Sequence, residues 1–236
     1  MSRTCPARWW RAAPAWWLAG ALTGAGSAAA QPVALCTGHG SAATRALFER
    51  FIHADCAGCW SARTATAPRR AATLDWVVPG AQADDAPLAA VARRDALQRP
   101  FKLPTRLDPQ RSVLSKLKPG AAHHLGVAHG LPLNGYMGAS LRFTARGAVA
   151  APLTGWLALV EQLPAGTEDS PVPRALVRNL LSEPVAPEPT GNNAQLWRPM
   201  NVPQGADPQR LAVVGWVSDA RGRLIAIAQA DCRAKP

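Results

Sequence analysis

The spacing of apolar side chains changes part-way along this chain of 236 residues, and that change constrains the fold more than any motif does. In the first half, Leu47, Phe48, Phe51 and Ile52 recur at helical spacing, with Arg45, Glu49 and Arg50 facing out. This predicts an amphipathic helix that Ser41 or Thr44 caps and that ends near Asp55. Before it, Pro32 to Cys36 predicts a short strand and Thr37 to Ser41 a tight turn. Thr73 to Pro79 predicts a buried strand stopped by Pro79-Gly80. Asp84 or Asp85 then caps a second helix, with Leu88, Val91, Ala92 and Leu97 on its inner face. Strand, helix, strand, helix is an α/β start.

The second half alternates instead. Leu141 and Phe143 are interleaved with Arg142 and Thr144, and Gly155 to Val160 predicts another strand. Leu211 to Val217 and Leu224 to Ala228 flank Ser218 to Gly222, a hairpin turn with glycine where a positive φ is wanted. Arg174 to Leu181 fits strand or helix, and residues 182–209 carry six prolines, which predicts mostly loop. The fold class expected is α/β plus all-β, with the second part an antiparallel β-sandwich.

Residues 1–30 predict a secretory signal peptide. Arg3, Arg8 and Arg11 stand among no acids, an apolar run follows from Trp16 to about Ala25, and Ala28-x-Ala30 is a small-residue cleavage site. The run is about half of the roughly 20 residues a spanning helix needs. No twin-Arg pair precedes it, and Leu35 before Cys36 is wrong for lipidation. No later segment is long and apolar enough to span. The expected location is therefore the periplasm or outside, after cleavage near Ala30.

Without residues 1–30 the chain keeps 23 of its 26 Lys and Arg against 15 Asp and Glu, a net charge of +8. Eight of the basic residues fall between Arg93 and Lys118, against Asp95 and Asp108. That stretch is either a solvated face or a weak contact for an anionic surface. Export and the absence of aromatic-basic interleaving argue against nucleic acid. Cys36, Cys56, Cys59 and Cys232 remain, and four cysteines in an oxidising compartment favour two disulfides.

Other constellations are weaker. His53-x-x-Cys56-x-x-Cys59 has metal-ligand spacing, but an oxidised pair beside a surface histidine is the preferred reading. His123, His124 and His129 with Met137 would suit a soft copper ion, although Gly126, Gly130 and Pro132 suggest a loop. His39 and Ser41 lack the elbow and the acid of a hydrolase. Asp84 and Asp85 read as caps. Trp76, Trp156 and Trp216 read as core, and Trp197 as a cover for a sheet edge. No metal and no cofactor are expected.

The order of elements resembles a secreted bacterial family of unknown function that joins a thioredoxin-like N-terminal part to a C-terminal β-sandwich. In that family a first strand runs into T-S-Q-G-C-x-x-C, where a helix starts. The matching stretch here runs from Leu35 to Thr44, with Ser41 and Thr44 at the two cysteine positions. Asp85 to Leu88 and the hairpin from Val213 to Leu224 also resemble the family. The resemblance implies a thioredoxin-like domain over 31–133, a β-sandwich over 134–236, and loss of the family's redox motif. The implied function is an exported, non-catalytic envelope protein that acts on an unknown envelope partner by binding or as a structural component.

The alternative is a periplasmic thiol–disulfide oxidoreductase that uses Cys56 and Cys59. Against it, the pair is expected to follow a helix, and a helix C-terminus disfavours a thiolate. The same helix of about a dozen residues would separate Cys36 from Cys56 by roughly 18 Å, beyond the roughly 7 Å that a disulfide allows. The pairing expected is Cys56–Cys59 with Cys36–Cys232, or else Cys232 with one of the Cys56/Cys59 pair.

Overall fold

The computed structural model describes residues 36–39, 44–63, 66–99, 108–120, 123–149, 152–186 and 193–230. The predicted signal segment, Ser41 and Cys232 lie outside them. Eleven strands and one short α-helix occur among the described residues. In chain order they are β1 (Cys36–His39), β2 (Ala46–His53), α1 (Ala57–Ser61), β3 (Ala71–Val78), β4 (Gln110–Lys116), β5 (His124–His129), β6 (Tyr136–Thr144), β7 (Leu153–Leu163), β8 (Arg174–Val185), β9 (Asn193–Asn201), β10 (Leu211–Asp219) and β11 (Leu224–Ala230). The chain is thus largely β.

Two sheets form. One has the order β1-β5-β6-β9 and is antiparallel throughout. The other has the order β11-β10-β7-β8-β3-β2-β4. Within it β2 pairs parallel with β3, and β3 parallel with β8. Both sheets draw strands from either side of residue 134, the boundary expected between two domains. All described residues belong to one compact unit.

Apart from its edge strand β4, the larger sheet is buried on both faces. Leu157, Leu159, Val213 and Val217 meet Leu125, Val127, Leu141 and Phe143 of the smaller sheet. The other face gathers Leu47, Phe51, Trp76, Trp156, Val214 and Trp216. Rings stack there in two pairs, Phe51 on Trp76 at 6.0 Å and Trp156 on Trp216 at 5.6 Å between centroids. Trp76, Trp156 and Trp216 are therefore core, as their strand positions predict.

The first predicted helix is strand β2. Its helical spacing of apolar residues arises because seven of its eight residues are buried, so both faces of the strand are apolar. Glu49 and Arg50 do not face water. As neighbours on a strand they point to opposite faces, and each meets a buried counter-ion described below. The second predicted helix is three 3-10 turns, Ala83–Asp85, Ala89–Val91 and Arg94–Gln98. Tertiary hydrogen bonds compete with helix there: the Leu88 N–H donates to Ala54 and the Arg93 N–H to Val77. Leu97, expected inside, is 59% exposed, and Ala96 is buried in its place.

Three further differences concern strands. The turn expected from Thr37 is strand as far as His39. Arg174 to Leu181 is strand, and β8 runs on to Val185. The proline-rich stretch contains β9, with Pro199 inside it. Pro199 is tolerated because β9 is an edge strand, where a missing N–H breaks no inner ladder.

Candidate functional site

Parallel strands need a crossover, and the crossover from β2 to β3 carries the Cys-x-x-Cys. Asp55 sets its start by accepting the N–H of Ala81 at 2.7 Å and of Gln82 at 3.2 Å. Cys56 then occupies the N-cap of α1, and its sulfur accepts the Cys59 N–H at 3.1 Å. Cys56 and Cys59 are joined, with S–S 2.01 Å and Cα–Cα 5.3 Å. The pair therefore opens a short helix and does not follow a long one, so the expectation of a site at a helix C-terminus is corrected. Cys56 is half-buried, while Cys59 and Trp60 are buried.

The floor under α1 is ionic. Asp75, in the middle of β3, receives Arg50 through two nitrogens at 2.5 and 2.7 Å, and the Ala175 N–H at 2.7 Å. Arg174 approaches the same carboxylate at 3.4 Å. Arg174 also donates to the Trp60 carbonyl at 2.5 Å and to Ser170 Oγ at 2.9 Å, and its guanidinium lies 4.8 Å from the Trp60 ring centroid. Burial above all lowers the Arg174 pKa from its ordinary value; Asp75 works against this and Arg50 adds to it. The Trp60 indole N–H donates to the Glu168 carbonyl at 2.6 Å in the β7–β8 turn. The helix that bears the disulfide is thus held at its last turn by groups from β8 and from that turn.

The opposite face of the sheet has its own buried pair. Glu49 receives Arg99 at 2.9 and 3.0 Å and the Trp76 indole N–H at 3.1 Å. Arg99 lies 4.7 Å from the ring centroids of both Trp156 and Trp216. Farther along, Glu161 pairs with Arg178 at 2.6 Å. A buried charge is costly unless it is paired, and these buried charges are paired.

The remaining predicted site residues scatter. Thr44 is half-buried just before β2, at a strand start and not at the start of a helix. Cys36 is disulfide-bonded; Cys56 and Cys59 bond each other, so its partner lies outside the described residues. His39 belongs to β1, with Gly126 opposite. His53 Nδ1 is 3.8 Å from Asp55. His124 and His129 lie at the two ends of β5, which is strand and not loop, and Met137 is fully buried in the core between the sheets. His123 contributes Nδ1 as acceptor to the Arg146 N–H. Among the described residues no three of His, Cys, Asp and Glu come together as a metal site. Asp84 and Asp85 lie in a 3-10 turn and make no side-chain cap. Trp197, 48% exposed, lies on β9 over Gly138.

The basic stretch does not form one face. Arg93 pairs with Asp95, and Arg99 is buried on Glu49. Arg111, Lys116 and Lys118 are exposed on and after β4, while Lys102 and Arg106 lie outside the described residues. Among the described residues no helix is long and apolar enough to cross a membrane.

Sequence reasoning missed Asp75, Arg174, Glu161 and Arg178. A signal for the first two exists. Asp75 interrupts an apolar run, and Arg174 opens another, so each asks for a buried counter-charge.

No protein-family model matches this chain, and no curated protein matches it. A solved structure, HBP35 of Porphyromonas gingivalis, matches in fold with a TM-score of 0.53 at 11% identity, over 80% of this chain and 76% of that one.

Proposed function

We propose that the protein is exported, is cleaved near Ala30, and acts in the envelope as a non-catalytic binding or structural component. The observation that carries this reading is the clamp on α1. Cys59 and Trp60 are buried, and Arg174 holds the Trp60 carbonyl, so the disulfide closes a fixed crossover. Exchange needs an accessible sulfur, and of this pair Cys59 is buried and Cys56 half-buried. The buried cations and carboxylates, which are the groups that could otherwise do acid–base work, are held in ion pairs. Binding is supported by exposed apolar side chains at one end of the smaller sheet, Leu131, Leu133, Tyr136 and Trp197. The thioredoxin-like element of this reading rests on the parallel β2–α1–β3 unit alone, since β2 stands where such a domain has its first helix. Cys36–Cys232 is the second bridge in this reading.

One observation favours a second reading, thiol–disulfide exchange at Cys56. Cys56 is the more exposed residue of the pair, and its sulfur accepts the Cys59 N–H, a contact that would favour a thiolate after reduction. The adjacent Asp55 carboxylate would oppose it. Insulin reduction separates the two readings. The wild-type protein is expected to show no more activity than the variant Cys56→Ala/Cys59→Ala. Activity that disappears in the variant would put the exchange reading first.

A further inference from the structure

The seven-stranded sheet has β4 at one edge and β11 at the other, yet both line one cavity of about 540 Å³. The sheet curls until its two ends flank the same space. Lys116 closes β4, and Lys118 follows in the turn made by Pro119 and Gly120, where Gly120 has φ 77°. His123 comes from the start of β5, and Arg221 and Arg223 from the β10–β11 turn. Five basic side chains from three separate segments therefore surround one opening, with Leu224 and Ile225 as an apolar wall.

The charge of this opening is not cancelled from within. Asp219 is the nearby carboxylate, and both its oxygens are used. Oδ1 accepts the N–H groups of Arg221 and Arg223 at 3.0 and 2.9 Å, and Oδ2 accepts the Arg223 guanidinium at 2.6 Å. Lys116, Lys118 and the Arg221 guanidinium make no ion pair among the described residues. The imidazole of His123 takes the Arg146 N–H on Nδ1 at 3.2 Å, so its neutral form carries the proton on Nε2 and is a donor there. The cavity thus offers two ammonium groups, a guanidinium, an imidazole N–H and the Ser115 hydroxyl, and among the described residues that line it none is a carboxylate.

We propose that this cavity binds a phosphate-bearing group. Three like charges converging on a concave surface repel one another and draw in an anion. A phosphoryl group has the oxygens to meet two lysines as point charges and an arginine as a two-pronged donor. The apolar wall of Leu224 and Ile225 accepts a carbon portion attached to it. The phosphate can belong to a soluble molecule or to a lipid headgroup, and the chemistry of the cavity is the same for both. This inference goes beyond the proposed function, because it assigns a ligand class and a place; it does not depend on the state of the disulfide.

The test compares the full-length exported protein with Lys116→Gln/Lys118→Gln/Arg221→Gln. A second variant, Arg69→Gln/Arg111→Gln/Arg142→Gln, loses the same charge away from the cavity. Each is titrated with inorganic phosphate by calorimetry, and with vesicles of phosphatidylcholine alone or with phosphatidylglycerol by co-sedimentation. The expected result is saturable binding by the wild type and the control variant, weakened at least about tenfold in the cavity variant. Binding of free phosphate identifies a soluble source, and binding only to phosphatidylglycerol vesicles identifies a lipid source. Absence of both in the wild type, or an equal loss in the two variants, overturns the proposal.

Discussion

Arg174 holds Trp60 twice: it donates to the tryptophan's carbonyl oxygen at 2.5 Å, and its guanidinium stands 4.8 Å from the centre of the ring. One buried cation on β8 therefore fixes both the backbone and the side chain of the short helix that bears the disulfide. The same guanidinium reaches Asp75 on β3 at 3.4 Å. The ionic floor of the sheet and the position of Cys56–Cys59 are thus parts of one arrangement.

Asp75 is the residue on which that arrangement depends. Asp75→Ala leaves Arg50 and Arg174 facing each other in the core with no counter-charge. The expected loss of stability is about 3–5 kcal/mol, read from the urea midpoint. Arg174→Met keeps most of the volume and leaves Arg50 to neutralise Asp75, so it should cost less than Asp75→Ala. An equal or larger loss for Arg174→Met would mean that the tie to Trp60 outweighs the charge balance.

Much of the sheet was legible in the sequence. The strand from Thr73 to Val78, the alternation around Leu141 and Phe143, and the Leu211 to Ala228 hairpin all occur as strands. The helix expected at 44–55 did not, and the reason is physical. Adjacent Glu49 and Arg50 look like one polar face of a helix, but a strand sends them to opposite sides, where Arg99 and Asp75 wait. Periodicity cannot tell a solvated charge from one with a buried partner 25 or 50 residues away. For the candidate site, the Cys56–Cys59 pair was visible as a motif. Its place at the start of α1 was not, because the expected long helix displaced it.

Two glycines mark where strands approach too closely for a side chain. A Cβ on Gly215 of β10 would stand 2.6 Å from Val127 Cγ2 across the core. Gly215→Ala should cost about 1–3 kcal/mol. A Cβ on Gly38 of β1 would stand 1.7 Å from the Gln229 carbonyl oxygen, a backbone atom that cannot rotate away. Gly38→Ala should therefore lower the thermal midpoint more than Gly215→Ala does. The reverse order would mean that β1 does not lie against β11 as described.

Asp219 should give the protein an acid-sensitive component of stability. Desolvation raises its pKa, but the Arg223 backbone and side chain, the Arg221 N–H and the Arg223 charge outweigh this and hold it below the ordinary carboxylate value. A folded-state pKa below the unfolded one, about 3.9, adds stability that is fully present above that value. It is lost as pH falls through the folded-state pKa. The difference in urea midpoint between wild type and Asp219→Asn should be constant from pH 7 to about 5 and shrink below about 4. A difference that grows on acidification would contradict this.

Export can be read from mass alone. The protein recovered from the periplasm or medium should begin at Gln31, and peptides from a non-reduced digest should link Cys36 to Cys232. Met1 retained on the exported form would remove the argument for export. A Cys36–Cys56 or Cys36–Cys59 peptide would contradict the bond between Cys56 and Cys59.

The central claim is that Cys56–Cys59 is a staple within a clamped crossover, and its reduction potential tests this most directly. By loop closure alone, a bridge between cysteines with a sequence separation of 3 adds only about 2 kcal/mol; burial of Cys59 and the hold of Arg174 on α1 further oppose reduction. Equilibration in graded dithiothreitol buffers, with alkylation and peptide mapping to follow this pair separately from Cys36, gives the potential. A value below about −300 mV, typical of structural bridges, is the predicted result. A value near the −180 to −120 mV range of oxidising exchange proteins would contradict the account and assign the site to thiol–disulfide exchange.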